Sequence, residues 1–239
     1  MLRQLSVFTI FFCLLLNGVK ARVEASRYDS FWVWSGVVTQ PVLNSAKTLY
    51  LLQGQISESR QSTGNTNEII SQRMATPFLP RQNVWIVYRT DTLRWSDRVY
   101  IKIFAELQRW ERAGNNVIGI QIDFDARTRF LGEYKDFLKD FRKRLPKNYQ
   151  LSITGLMDWG NNADRSVLAE LNGIIDEIVI QTYQGRKTIP NYGSYVPRLN
   201  RMGLPFKIGI VQGGEWEDSW SMENNSWFRG YVVFLLNSK

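Results

Sequence analysis

Eight short runs of apolar and β-branched residues recur along the chain, at Ser30–Trp34, Thr48–Leu52, Val84–Tyr88, Val117–Ile122, Leu151–Leu156, Glu177–Thr182, Phe206–Val211 and Tyr231–Leu236. Most are nearly continuous hydrophobic stretches, as parallel strands covered on both faces require. Several intervals between them carry helical patterns. Asp97–Ala113 repeats Val99, Ile101, Ile103, Phe104, Leu107 and Trp110 before Gly114. Tyr134–Leu145 repeats Phe137, Leu138, Phe141 and Leu145 before Pro146, and Asp164–Asn172 opens on an Asp cap and stops at Gly173. Eight strands alternating with helices predict an α/β chain, a single (β/α)8 TIM barrel over residues 26–239. The Trp- and Gly-rich interval after Val211 predicts short or irregular helices there. A doubly wound open sheet is the alternative, but no G-x-G-x-x-G or Walker loop is present to serve it. The 239 residues suffice for a barrel fold that typically needs about 250.

The chain has no His and one Cys. That excludes a Ser–His–Asp triad, a Cys–His pair and a His-ligated zinc, and leaves carboxylates, Tyr, Lys and Arg for acid–base work. No cofactor motif and no metal-ligand spacing stands out. Residues 1–25 are expected to be a cleaved signal peptide. Arg3 supplies the positive start, Leu5–Leu16 the apolar run containing Cys13, and Ala21 or Ala25 the cleavage site, with Val19 and Val23 at the −3 positions. The run is shorter than the roughly 20 residues of a membrane span, so no stable span is expected after cleavage. An exported protein, periplasmic or extracellular, follows. Losing Arg3, Lys20, Arg22 and Glu24 takes two positive charges from the formal +8 and leaves +6. The densest basic run, Lys139–Arg144, lies on a predicted helix and reads as a solvated face, so no nucleic-acid partner is expected.

In such a barrel the active site lies at the carboxyl ends of the strands. The strongest local signal there is Gln121-Ile122-Asp123-Phe124-Asp125. Strand alternation puts Gln121, Asp123 and Asp125 on one face at about 7 Å spacing, and Ile120, Ile122 and Phe124 on the other. Two carboxyls this close repel, and one is pushed to a higher pKa, as a general acid for a glycosidic oxygen requires. A salt bridge to Arg89, Arg127 or Arg129, or a metal-binding pair, is the competing role. Tyr183 follows strand six and can donate to a carbonyl or a developing anion. Trp32, Trp34, Trp159 and Trp216 fall near strand ends and suit stacking on sugar rings. Gln53, Arg89, Asp158, Gln181, Gln212 and Glu215 complete the expected substrate-binding set.

The Gln121–Asp125 segment resembles the strand-four D-x-D-x-E signature of glycoside hydrolase family 18, the chitinase-like enzymes. Strand six, Ile180–Gln184, is similar to that family's M-x-Y-D; Lys207–Ile210 to its strand-seven L-G-I/V; Gly230–Phe234 to its final G-x-x-x-W. Gly119–Ala126 with Leu151–Leu156 is more closely similar to an exported bacterial family, domain of unknown function 3142, which implies a barrel and no established activity. The chitinase-like resemblance implies Asp125 as general acid, Asp123 orienting a substrate N-acetyl group, and Tyr183 binding its carbonyl. Asp replaces the acidic Glu, Gln121 the first Asp, and Gln184 the Asp after the Tyr. The expectation is a glycoside hydrolase acting on an extracellular or envelope polysaccharide, including N-acetylamino sugars. Glu215 is a further candidate nucleophile or base. A non-catalytic carbohydrate-binding barrel and an envelope scaffold are the alternatives.

Overall fold

The computed structural model describes residues 20–34, 40–59, 66–71, 76–217 and 222–236. The expected signal segment as far as Val19, with Arg3 and Cys13, lies outside them. Eight parallel strands form a closed barrel: β1 (Ser30–Val33), β2 (Thr48–Ser59), β3 (Asn83–Thr90), β4 (Asn116–Asp123), β5 (Gln150–Leu156), β6 (Glu177–Gln181), β7 (Phe206–Val211) and β8 (Phe228–Phe234). Each pairs with the next, and β8 pairs with β1 at Val233↔Phe31 and Phe234↔Trp32. Closure removes the unpaired edges of the sheet. It also gives each strand an inner face and an outer one.

The outer layer buries Phe31, Leu49, Leu51, Ile86, Ile120, Ile122, Ile153, Ile178, Ile208 and Val233 against the helices. The inner layer is a separate cluster of Trp32, Tyr50, Leu52, Trp85, Val87, Val179, Tyr183, Val211 and Val232. Residues one apart thus fall into different cores, as period-2 alternation demands.

The helical intervals are uneven. Helix α1 (Asp97–Arg112) buries Val99, Tyr100, Ile103, Leu107 and Trp110 and stops at Gly114, whose φ of +86° is open to glycine. Ile101, counted with the apolar face from the sequence, is 68% exposed. Helix α2 (Leu131–Arg144) buries Leu131, Tyr134, Phe137, Leu138 and Phe141. Its basic end is committed to acids: Arg142 to Asp176, and Arg144 to Asp97 and Asp140. Short helices α3 (Trp159–Asn162) and α4 (Arg165–Leu171) follow β5, and the Asp164 side chain caps α4 by accepting from Ser166 N. The remaining connections use 3-10 turns, as at Pro41–Ser45 and Val196–Met202. Between β2 and β3 the expected helix is replaced by a strand, Thr66–Ser71, pairing antiparallel with the end of β2. No helix among the described residues is long and apolar enough to cross a membrane.

The inner layer also holds a polar chain near the amino ends of the strands. Lys207 Nζ lies 2.8 Å from Glu177 Oε2 and donates to the Tyr50 hydroxyl at 2.8 Å. Glu177 Oε1 accepts from Tyr50 at 2.7 Å and from Ser152 at 3.1 Å. Both members of the ion pair are largely buried, so their attraction survives solvent screening, and removing one strands the other. Lys207→Met is expected to lower the unfolding free energy by on the order of 3 kcal/mol in denaturant titration. A change under about 0.5 kcal/mol, the scale of an ordinary surface substitution, would show the pair to be solvated.

Candidate functional site

Strand alternation delivers inward side chains from six of the eight strands to a cavity of about 280 Å³ at the carboxyl end of the barrel. It is lined by Trp32 and Trp34 from β1, Val87 and Arg89 from β3, and Gln121, Asp123 and Asp125 at the end of β4. Thr154 comes from β5, Gln181 from β6, Tyr183, Gln184 and Gly185 from the loop after it, and Phe234 from β8. Asp123, Asp125 and Tyr183, singled out in the sequence, therefore meet in one cavity with Trp32, Trp34, Arg89, Gln121 and Gln181.

The two carboxyls stand in different environments. Strand β4 ends at Asp123, and Asp125 lies in the loop beyond. Asp123 is buried and accepts from Thr154 Oγ1 at 2.9 Å. Burial is the main cause that lifts its pKa from 3.8 to about 6; the Thr154 bond and Arg89 oppose the rise, and Asp125 adds to it. The sequence argument ascribed such a rise to repulsion between the pair. The structure ranks desolvation first and repulsion last. Asp125 is 64% exposed, with Oδ2 3.7 Å from Arg89 Nη2. Arg89 and Asp123 are register partners on β3 and β4, so the guanidinium charge also acts on Asp123 without an ion-pair contact. The Arg89 Cζ also lies 5.7 Å from the Trp34 ring centre.

The floor is fixed by hydrogen bonds that continue the polar chain below. Trp32 Nε1 donates to Gln121 Oε1 at 2.6 Å, and Gln121 Nε2 donates to Ser152 Oγ at 2.9 Å. Ser152 in turn donates to Glu177. Gln121 is fully buried and its two ends are both used, which sets its orientation and that of the indole. Gly209 makes room for that ring, since a Cβ there would lie 2.5 Å from Trp32. Tyr183 is buried, stacked on Phe234 at 5.4 Å and edge-on to Trp32 at 6.3 Å. Burial, with the nearby Asp123 and Asp125, raises its phenol pKa well above 10. It is therefore a neutral hydrogen-bond group, able to donate to a carbonyl.

Residues 84–201 match the family model described as domain of unknown function DUF3142. The matched segment is just under half of the chain. It contains Arg89, Asp123, Asp125, Thr154, Gln181 and Tyr183, while Trp32, Trp34 and Phe234 come from the strands outside it. Among solved structures the chain is similar to the chitinase domain of the spore coat protein CotE from Clostridium difficile. The identity is 15%, the match covers 82% of this chain and 70% of that one, and the TM-score is 0.52. It is equally similar to the xylanase and alpha-amylase inhibitor protein XAIP-II from Scadoxus multiflorus, at 10% identity, 86% and 92% coverage and a TM-score of 0.52. The spore cortex-lytic enzyme SleL from Bacillus cereus matches at 17% identity over 76% of this chain with a TM-score of 0.48, and the match spans about half of SleL, 49%. At these identities the shared property is the barrel fold. No curated protein sequence matches the chain.

Six expected binding residues lie away from the cavity, each for a physical reason. Gln53 sits where the β2–β3 register slips between Leu52 and Gly54; this bulge breaks the alternation that would aim it inward. Asp158 precedes α3, with its Oδ1 buried and without a hydrogen bond, and burial raises its pKa. Trp159 is fully buried and donates to Ala126 O at 3.0 Å, which anchors the loop beside Asp125 rather than a ligand. Gln212 exchanges hydrogen bonds with Gln40 and accepts from Leu236 N. Glu215 is exposed in a short strand (Glu215–Glu217) paired with Lys20–Arg22. Trp216, one residue on, is buried and stacks on Tyr192 at 4.8 Å. The sequence reading missed Val87, Thr154, Gly185 and Phe234. Thr154 was legible from the alternation of Leu151–Leu156, and Phe234 stands at the Trp position of the G-x-x-x-W pattern.

A carboxyl whose pKa is raised on folding holds its proton more tightly in the native state. Its contribution is complete below pH 3.8 and is lost as pH rises through about 6. Asp123→Asn keeps an acceptor for Thr154 and removes the buried charge. Relative to wild type, the variant is expected to gain stability between pH 4 and pH 7, reaching about 3 kcal/mol in denaturant titrations. A difference that does not change with pH would show that Asp123 ionises as it does in water.

Proposed function

We propose that the barrel hydrolyses a glycosidic bond in an extracellular or envelope polysaccharide containing N-acetylamino sugars. One observation carries this reading: Asp123, Asp125 and Tyr183 line a single concave cavity with the aromatic faces of Trp32, Trp34 and Phe234. The cavity volume of about 280 Å³ is at the small end for ligand sites and suits one sugar ring better than several. The indoles offer flat apolar surface to the C–H face of that ring. Asp125, on the open rim, reaches a leaving-group oxygen and gives it a proton. Asp123, deeper and held by Thr154, takes the N–H of an acetamido group when ionised. Tyr183 donates to the acetamido carbonyl, whose oxygen attacks the anomeric carbon as the protonated leaving group departs; water then opens the resulting ring and Asp125 takes back its proton. This division of labour needs no His and no metal, and it fits the chitinase-like pattern of residues. A route through Glu215 as nucleophile draws no support, because that carboxylate does not line the cavity.

The second reading is a carbohydrate-binding barrel without turnover. It is favoured by the exposure of Asp125 and by the 3.7 Å approach of Arg89, which competes with a leaving group for that carboxyl. The same fold occurs in an inhibitor protein, so the barrel itself decides nothing. The two readings separate on Asp125→Asn, assayed by release of reducing ends from chitin oligosaccharides and from peptidoglycan. Hydrolysis is expected to fall about 10²- to 10⁴-fold, the usual contribution of a general acid, with glycan binding by calorimetry retained. Unchanged turnover in the variant overturns the assignment. Binding by wild type with no hydrolysis of any bound glycan establishes the second reading.

Export belongs to the same proposal. Val23 and Ala25 are buried in the outer layer, and Val23 exchanges backbone hydrogen bonds with Gly213 and Gly214. Cleavage after Ala21 preserves these contacts, whereas cleavage after Ala25 removes them. N-terminal sequencing of the secreted protein is expected to begin at Arg22; a start at Ser26 would show the segment to be dispensable to the fold.

A further inference from the structure

We propose that the sugar ring adjoining the N-acetylamino ring in the cavity carries a carboxylate, which Arg89 binds at the rim, and that both rings belong to an anionic polysaccharide held along a row of basic side chains. The proposal rests on the cavity being a sugar site and goes further by naming the substrate class.

Two observations carry it independently. The first is the state of Arg89. Among the described residues it is the only cation lining the cavity. Its side chain is 45% exposed, and its one acidic contact, to Asp125 Oδ2 at 3.7 Å, lies beyond hydrogen-bond length for a charged pair. A guanidinium offers five N–H donors in a rigid fork that matches a carboxylate with two parallel bonds. The contact with Trp34 holds the group beside the surface on which a sugar ring would stack. The fork is thus placed at the cavity with its donors still available. A neutral ring would leave this charge without a partner in the occupied site, a cost that a carboxylated ring avoids.

The second observation is the charge on the two loops that complete the cavity. Beyond Asp125, the β4 loop carries Arg127 and Arg129; beyond Gly185, the β6 loop carries Arg186 and Lys187. All four are exposed. None forms an ion pair among the described residues, and Arg129 lies over the Phe130 ring at 4.6 Å. Asp125 is the only acid between residues 124 and 130, and there is none between 183 and 188. On α2, by contrast, Arg142 and Arg144 are paired with acids of the same fold. The formal +8 of the chain therefore has an unspent share at the mouth, where it attracts a polyanion over a distance set by salt. The rim draws in the polymer, and Arg89 selects the carboxylated ring.

The test compares binding by calorimetry at two salt concentrations, using the full chain and, where turnover interferes, its Asp125→Asn form. The probes are short hyaluronan oligosaccharides, alternating N-acetylglucosamine with glucuronic acid; the same oligosaccharides with the carboxyl groups reduced to alcohols; chitin oligosaccharides; and dextran sulfate. The carboxylated oligosaccharide is expected to bind about 10-fold more tightly than its reduced form, the scale of a charge-assisted hydrogen-bonded pair. Arg89→Gln is expected to abolish that difference, with the affinity of the carboxylated form falling to that of the reduced form. Arg127→Gln with Arg186→Gln is expected to weaken polymer binding and flatten its salt dependence, with the preference for the carboxylated short form kept.

Equal affinity for native and reduced oligosaccharides overturns the proposal. So does a preference that survives Arg89→Gln. Dextran sulfate competing as well as the carboxylated glycan would replace carboxylate recognition by general polyanion binding. Hydrolysis of neutral glycans with no carboxylate preference overturns this proposal alone. An Arg89-dependent preference without hydrolysis of any glycan overturns the hydrolase reading alone.

Discussion

A parallel sheet of eight strands has no free edge only if its first strand bonds to its last. Here that join is made at two positions, Val233↔Phe31 and Phe234↔Trp32, on the four-residue strand Ser30–Val33. Everything at the carboxyl end depends on it. Without closure the inward faces of β1 and β8 would not stand opposite β4, and Trp32 could not reach Gln121 across the barrel. With it, the chain acquires an interior too small for a helix but large enough for indole and phenol rings. Gly209 illustrates how tight this is: the Trp32 ring occupies the space where a side chain on β7 would begin.

The interior is organised by depth. At the amino ends of the strands Lys207, Glu177 and Tyr50 form a buried ionic cluster; Ser152 and Gln121 carry its hydrogen bonding upward to Trp32. Above this lie Asp123 and Tyr183, shielded, and above them Asp125 and Arg89, open to solvent. Two carboxyls two residues apart thus differ because one ends the strand and the other begins the loop. Depth, far more than mutual repulsion, sets the behaviour of Asp123. The same gradient gives a cavity with a rigid floor and a solvated rim.

The parts of the site that could be read from the sequence are those governed by short-range rules. Alternation in Gln121–Asp125 put Gln121 and Asp123 inward and Ile120, Ile122 and Phe124 outward. Apart from β2, which continues to Ser59, the strand runs lie within a few residues of the observed strands, and the glycine and proline stops of α1 and α2 fall where the sequence put them. What failed to show was long-range. Trp159 and Trp216 follow strands just as Trp34 does, yet they turn outward because α3 and the Glu215–Glu217 strand bend the chain back over the outer layer. Gln53 was displaced by a bulge, a feature of pairing between strands that a single strand's sequence does not encode. The strand Thr66–Ser71 replaced a helix because the end of β2 runs beyond the barrel and needs a partner.

The sequence by itself determined the shape of the scaffold and bounded the side chains open to any acid–base work. With no His, acid–base work falls to carboxyls and phenols, and eight apolar runs with helical intervals specify a closed parallel barrel. Both follow from local composition and periodicity. Tertiary structure decided which carboxyl is buried, which tryptophans face the interior, and which cations remain unpaired. Desolvation, aromatic packing and ion pairing are properties of neighbours brought together by closure, from strands up to two hundred residues apart, and no local pattern carries that information.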